Sequence, residues 1–234
     1  MKKTLTAFLA AAAIALSAAP IKPTFYNKGD WRIGTSENLT KKAAKLKQIQ
    51  LAFFGDSITQ GWTMYWVKIN GMKAWKKEFG KYPSKENFGI SGDKIENLHW
   101  RITEGKQLDG YKAKVIVLMI GANNLGKNTP QEMADGIKNI LVSMQQKQPQ
   151  AKIILCSLLP VDWQMKNYKA VNEIICKFAD SKSIYYLDLA PLFLKENGKT
   201  QRLKDGLHPN EEGYFLMAEK IRMEIDRIFQ KKSN

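Results

Sequence analysis

The sequence predicts an α/β chain built on a parallel sheet with helices on both faces. The runs Ile49–Phe54, Val115–Ile120, Ile153–Leu155 and Ile184–Leu187 are apolar almost without a break (Gln50 excepted) rather than alternating, as expected of strands buried on both faces. Stretches with apolar residues at helical spacing separate them. No internal repeat or linker composition interrupts the chain from Ile49 to Phe229, which predicts one domain over 49–234.

Each element has its own signal. Met1–Ala19 reads as a secretory signal: Lys2 and Lys3, an apolar stretch from Leu5 to Leu16, then Ser17-Ala18-Ala19. That stretch is too short to span a bilayer comfortably, so export without a transmembrane segment is expected, to the periplasm or beyond the cell. The extension 20–48 is polar and irregular, with a short helix expected in the lysine-rich Lys41–Lys47. After the first strand, Trp62–Phe79 is mostly helical in pattern, interrupted at Gly71. Asn87–Asp93 reads as a short strand ending in a glycine turn, and Asp93 is expected to open a helix with Ile95, Leu98, His99 and Ile102 on one face. Thr129, Pro130 and Glu132 form a helix start with a capping box, ahead of the stripe Met133, Ile137, Ile140, Leu141 and Met144. A further helix carries Val171, Ile174, Ile175 and Phe178, and a last one Tyr214, Met217, Ala218, Ile221 and Ile225.

Composition narrows the function. The 234 residues are 44% hydrophobic with a net charge of +15, globular rather than disordered. The lysines are scattered, as on a solvated surface, and no nucleic-acid-binding motif accompanies them. Cys156 and Cys176 could pair in an oxidising compartment, but their apolar settings favour two buried free thiols. No Cys/His cluster has metal-ligand spacing, so neither a metal nor another cofactor is expected. Nothing in the sequence indicates an oligomeric state.

The chemistry starts at Gly55-Asp56-Ser57, where a buried strand breaks into a turn and leaves a serine at the sheet edge. A nucleophilic serine needs a base, and the chain has two histidines. His99 lies on an apolar helix face, the usual place of a structural histidine. His208 lies in a polar loop three residues after Asp205, near enough for that carboxylate to orient its ring. Donors for an oxyanion are the amides of Ser57 and Gly92 and the side-chain amide of Asn123, all in loops that follow strands. Ordinary readings exist for each: Ser57 as a helix cap, Gly92 as a turn, Asn123 as a cap. Trp62 and Asp56 flank the serine as candidate substrate contacts. Trp62, Met64, Tyr65 and Trp66 suit an acyl groove or the core, and Asp56 suits support of the turn.

Taken together, Gly55-Asp56-Ser57, Gly89-Ile90-Ser91-Gly92, Gly121-Ala122-Asn123-Asn124 and Asp205-Gly206-Leu207-His208 resemble the four blocks of the SGNH/GDSL hydrolases. The run from Asn87 through Asp93 to His99-Trp100-Arg101 is similar to the catalytic subunits of type I platelet-activating-factor acetylhydrolase and their bacterial relatives. The third block departs from the usual Gly-x-Asn-Asp, with Asn124 in place of the aspartate. The resemblance implies a three-layer α/β/α, flavodoxin-like fold and ester hydrolysis without metal. In it Ser57, His208 and Asp205 form the triad, and Ser57, Gly92 and Asn123 the oxyanion hole.

The expected function is an exported esterase that removes small acyl groups, acetyl first, from a small-molecule or glycan ester. The alternatives are a lysophospholipase or thioesterase for longer chains and, from another class, a non-catalytic glycan-binding domain.

Overall fold

The computed structural model describes residues 21–64 and 70–230. Met1–Ala19, Tyr65 and Trp66 therefore lie outside the described residues. The elements in order are α1 (Arg32–Ala43), β1 (Gln48–Gly55), α2 (Ser57–Gln60), α3 (Met72–Phe79), β2 (Lys85–Asn87), α4 (Ile95–Ile102) and β3 (Lys112–Met119). They continue with α5 (Pro130–Lys147), β4 (Lys152–Cys156), α6 (Met165–Ile175), β5 (Ile184–Leu187) and α7 (Glu211–Gln230). The five strands form one parallel sheet in the order β2-β1-β3-β4-β5.

Continuous apolar strands arise because each one feeds two cores. Ala52 and Phe54 of β1, Ile116 and Leu118 of β3, and Ile153 and Leu155 of β4 pack with α4, α5 and α6. Their neighbours Leu51, Phe53, Val115, Val117, Ile154 and Cys156 face the opposite way, toward α3 and α7. This is the three-layer α/β/α arrangement. The strand order reverses between β1 and β3, and in such sheets the crevice beyond the strand ends at that reversal is where ligands bind. Ser57 follows β1 and Asn123 follows β3, so both fall at its mouth.

Several local expectations shift. The N-terminal helix is Arg32–Ala43, which begins well before the lysine-rich stretch and ends inside it; Asp30 accepts the Arg32 amide at 2.9 Å at its start. Among the described residues of the Trp62–Phe79 region, the helix of that pattern is Met72–Phe79. The second strand ends at Asn87 rather than starting there, as the Asn87 side chain turns to donate to the Thr59 carbonyl at 2.8 Å. Asp93 does not open α4; its carboxylate pairs with Arg101, and the free Ile95 amide is taken by Asn124 at 2.9 Å. The capping box at Thr129 and Glu132 forms as read. Both cysteines are free thiols, Cys156 buried and Cys176 only half-buried.

Candidate active site

The nucleophile turn is shaped by Asp56, whose Oδ1 accepts the Ile58 amide at 3.0 Å. This carboxylate caps α2 and leaves Ser57 at its first position, where helix amides have no intrahelical partner. Ser57 Oγ lies 2.8 Å from His208 Nε2. His208 Nδ1 lies 2.9 Å from Asp205 Oδ2, and Asp205 Oδ1 accepts the His208 amide at 2.8 Å. One carboxylate thus holds both the ring and the backbone of its histidine. Partial burial acts to raise the Asp205 carboxyl, but the His208 amide and ring, with the Leu207 amide, hold it below its ordinary range. The last loop is pinned to α7 as well, since Asn210 accepts the Gly213 amide at 2.8 Å.

The loop after β2 reaches the same edge. Gly89 is pressed against the nucleophile helix so closely that a Cβ there would lie 2.3 Å from the Gln60 amide nitrogen. Gln60, buried, accepts the Ser91 amide at 3.0 Å. Gly92 adopts φ +78°, a conformation that glycine takes without a Cβ penalty. Asn123 donates from Nδ2 to the Asp93 carbonyl at 2.8 Å, which fixes its amide beside this loop. An amide nitrogen carries two hydrogens, so a second remains to point elsewhere.

Asn124, the departure in the third block, is fully buried and used as both donor and acceptor. Its Oδ1 takes the Ile95 amide, and its Nδ2 donates to Glu96 Oε2 and Asn128 Oδ1, each at 3.0 Å. An ionised aspartate could not donate to these two oxygens, which accounts for an amide here.

Two readings of the flanking residues are corrected. Trp62 is only 2% exposed, set edge-on against Phe79 and Tyr214, so its ring belongs to the core and offers no surface to a substrate. Asp56 is equally buried and serves the turn. Met64 is exposed, and His99 bonds Ser143 Oγ at 3.1 Å, with burial lowering its pKa.

Sequence reading missed a group from the N-terminal extension. Arg32 donates to the Gly92 carbonyl, and Tyr26 donates to Asp93 Oδ1 at 2.6 Å. Nothing local marks these residues, because their partners are some sixty positions away.

The arrangement suits acyl transfer: an alcohol, a base on it and an acid behind the base. Comparison with known proteins agrees. Residues 53–216 match the GDSL-like Lipase/Acylhydrolase family. The chain is 30% identical over 210 residues to platelet-activating factor acetylhydrolase IB subunit alpha2 of Rattus norvegicus, covering 87% of each chain. It is 29% identical over 194 residues to the alpha1 subunit of Bos taurus, covering 80% of this chain and 79% of the relative. A GDSL-like lipase from Bacteroides thetaiotaomicron has the same fold, with a TM-score of 0.62 and 22% identity over 84% of this chain and 96% of that one. A carbohydrate esterase family 3 structure from Talaromyces cellulolyticus superposes with a TM-score of 0.52 and 16% identity, over 78% and 99% of the two chains. A family match across most of the sequence, on this fold, makes the chain a member of the GDSL-like lipase/acylhydrolase family and a carboxylic ester hydrolase.

Proposed function

We propose that this protein is an exported esterase that removes small acyl groups, acetyl above all, from carbohydrate or similar substrates, with Ser57, His208 and Asp205 as its triad. The observation that carries the site assignment is the unbroken line of short contacts from Ser57 Oγ through His208 to Asp205. Ser57 Oγ attacks the acyl carbonyl carbon while its proton passes to His208 Nε2. Asp205 stabilises the imidazolium, and the Ser57 and Gly92 amides with the Asn123 side chain receive the oxyanion. The ester C–O bond then breaks as His208 returns the proton to the leaving alcohol. A water that gives its proton to His208 attacks the acyl-serine, releases the carboxylic acid and restores Ser57.

Preference for a short acyl group draws on the relatives, which are named acetylhydrolases, and on Trp62, which is unavailable as a groove wall. Preference for a carbohydrate draws on Trp31 and Trp163, each 59% exposed. Trp31 adjoins Arg32 at the Gly92 loop, and Trp163 lies in the connection after β4. Flat indole faces of this kind suit the apolar face of a sugar ring. The carbohydrate esterase with this fold is in keeping with that choice. Export rests on the signal-like Met1–Ala19.

The test is a p-nitrophenyl ester series of rising chain length, run beside acetylated sugars and lysophospholipids. Activity should fall sharply beyond propionyl and vanish in Ser57→Ala, which should also lose labelling by a fluorophosphonate. Rising activity toward long chains would replace this reading with the lysophospholipase one. Absence of labelling in active buffer would favour a binding role. Mass spectrometry of the secreted product should find an N-terminus at Pro20.

A further inference from the structure

The geometry points to Arg32 as a positioning residue that holds the oxyanion loop from outside the segment matched by the family, 53–216. This rests on the proposed role of Gly92 as an oxyanion donor. Among the described residues, three side chains bond the backbone of the loop from Ser91 to Asp93. Gln60 accepts the Ser91 amide, Asn123 donates to the Asp93 carbonyl, and Arg32 Nη1 donates to the Gly92 carbonyl at 2.7 Å. The first two come from residues inside the family segment. The third comes from the start of α1.

Gly92 is where the loop most needs an external hold. With φ at +78° and no side chain, it has the widest conformational freedom of any residue there, and its φ and ψ set where its amide points relative to its carbonyl. Arg32 holds that carbonyl, in the Gly92–Asp93 peptide, and so narrows the range open to the amide on the other side of the Gly92 Cα. It can do so because it is itself fixed. Its Nε and Nη2 make a two-point contact with Asp30, at 3.0 Å to Oδ1 and 2.6 Å to Oδ2. Its guanidinium lies 4.6 Å from the ring centroid of Tyr26, and Tyr26 is bonded in turn to Asp93 at 2.6 Å. One edge of the planar guanidinium is thus spent on Asp30, which leaves Nη1 aimed at a single carbonyl. Only the fork of an arginine can do both; a lysine has one ammonium for two partners. The extension therefore sets the geometry of the reacting centre without touching the substrate.

The test is steady-state hydrolysis of p-nitrophenyl acetate by Arg32→Ala and Arg32→Lys. Rates are normalised to the number of sites labelled to completion by a fluorophosphonate, so that unfolded protein is not counted. Misplacing an oxyanion donor should lower kcat per labelled site by about 10- to 100-fold in Arg32→Ala while KM changes little. Arg32→Lys should be intermediate, and guanidinium below denaturing concentration should restore part of the Arg32→Ala rate, because Asp30 remains to hold it. A purely structural Arg32 would reduce the number of labelled sites and leave kcat per site unchanged, which overturns the inference. Should Arg32→Ala fail to fold, Arg32→Lys carries the test alone, and a wild-type kcat there overturns it. Activity that survives Ser57→Ala is a different failure: it removes the proposed site, and this inference with it.

Discussion

Asp56 Oδ1 accepts the Ile58 amide, while Oδ2 is buried with no hydrogen-bond partner among the described residues. Burial pushes this carboxyl from 3.8 up to about 7, against the pull of the Ile58 amide and with a further push from the charge of Asp93. In the unfolded chain the same group ionises in the ordinary range. Between about 4 and 7 the folded protein therefore keeps a proton that the unfolded chain has lost, and stability falls as pH rises through that window. Asp56→Asn keeps the acceptor for Ile58 and cannot ionise. Its melting temperature relative to wild type should be higher at pH 8 than at pH 5. Equal differences at both pH values would show that Asp56 does not titrate this way. The Gly-Asp-Ser motif made the residue visible in the sequence, but not its second oxygen, whose isolation depends on what packs around it.

At the scale of elements, α2 and the loop after β2 meet backbone to backbone at Gly89. A Cβ there would also come within 2.7 Å of the Thr59 carbonyl carbon, and backbone cannot swing aside as a flexible side chain can. Gly89→Ala should cost about 1–3 kcal/mol and, with the proposed site, lower kcat/KM by moving the Gly92 loop off α2. Chemical denaturation and steady-state kinetics check both; wild-type values in each would refute the close contact. Elements with a local signature were legible: the β1 and β3 runs, the Thr129 cap and the four family-like blocks each announce themselves within a few residues. Helix α1 was not, because it starts where Asp30 accepts the Arg32 amide, and that aspartate in turn pairs with an arginine facing the catalytic loop. Trp62 was left between two readings for a related reason. An aromatic beside a nucleophile looks the same in sequence whether it lines a groove or, as here, packs on Tyr214 of α7.

Across the whole molecule, Arg101 is the cation that joins the first two strands to the helix layer. Fully buried, it pairs with Asp93 at 2.7 Å and donates to the Phe88 carbonyl at 2.9 Å and the Gly55 carbonyl at 3.3 Å. Burial raises the Asp93 carboxyl, and Arg101 and Tyr26 oppose the rise. Arg101→Met would strand that carboxylate and should cost about 3–5 kcal/mol. The loss should shrink as pH falls and Asp93 takes up a proton. A loss below about 1 kcal/mol in urea denaturation would refute the role. The sequence could place Arg101 on a helix, but not beneath two strand ends at once.

Ser57 and His208 are 151 positions apart, and the His208 loop runs directly into α7, whose Tyr214 donates to the Ile58 carbonyl behind the nucleophile. With Ser57 and His208 as the proposed pair, hydrolysis requires the last helix to have docked beside α2. During refolding, the return of ester turnover clocks that docking, and the enzyme carries a built-in stopwatch for the completion of its own chain.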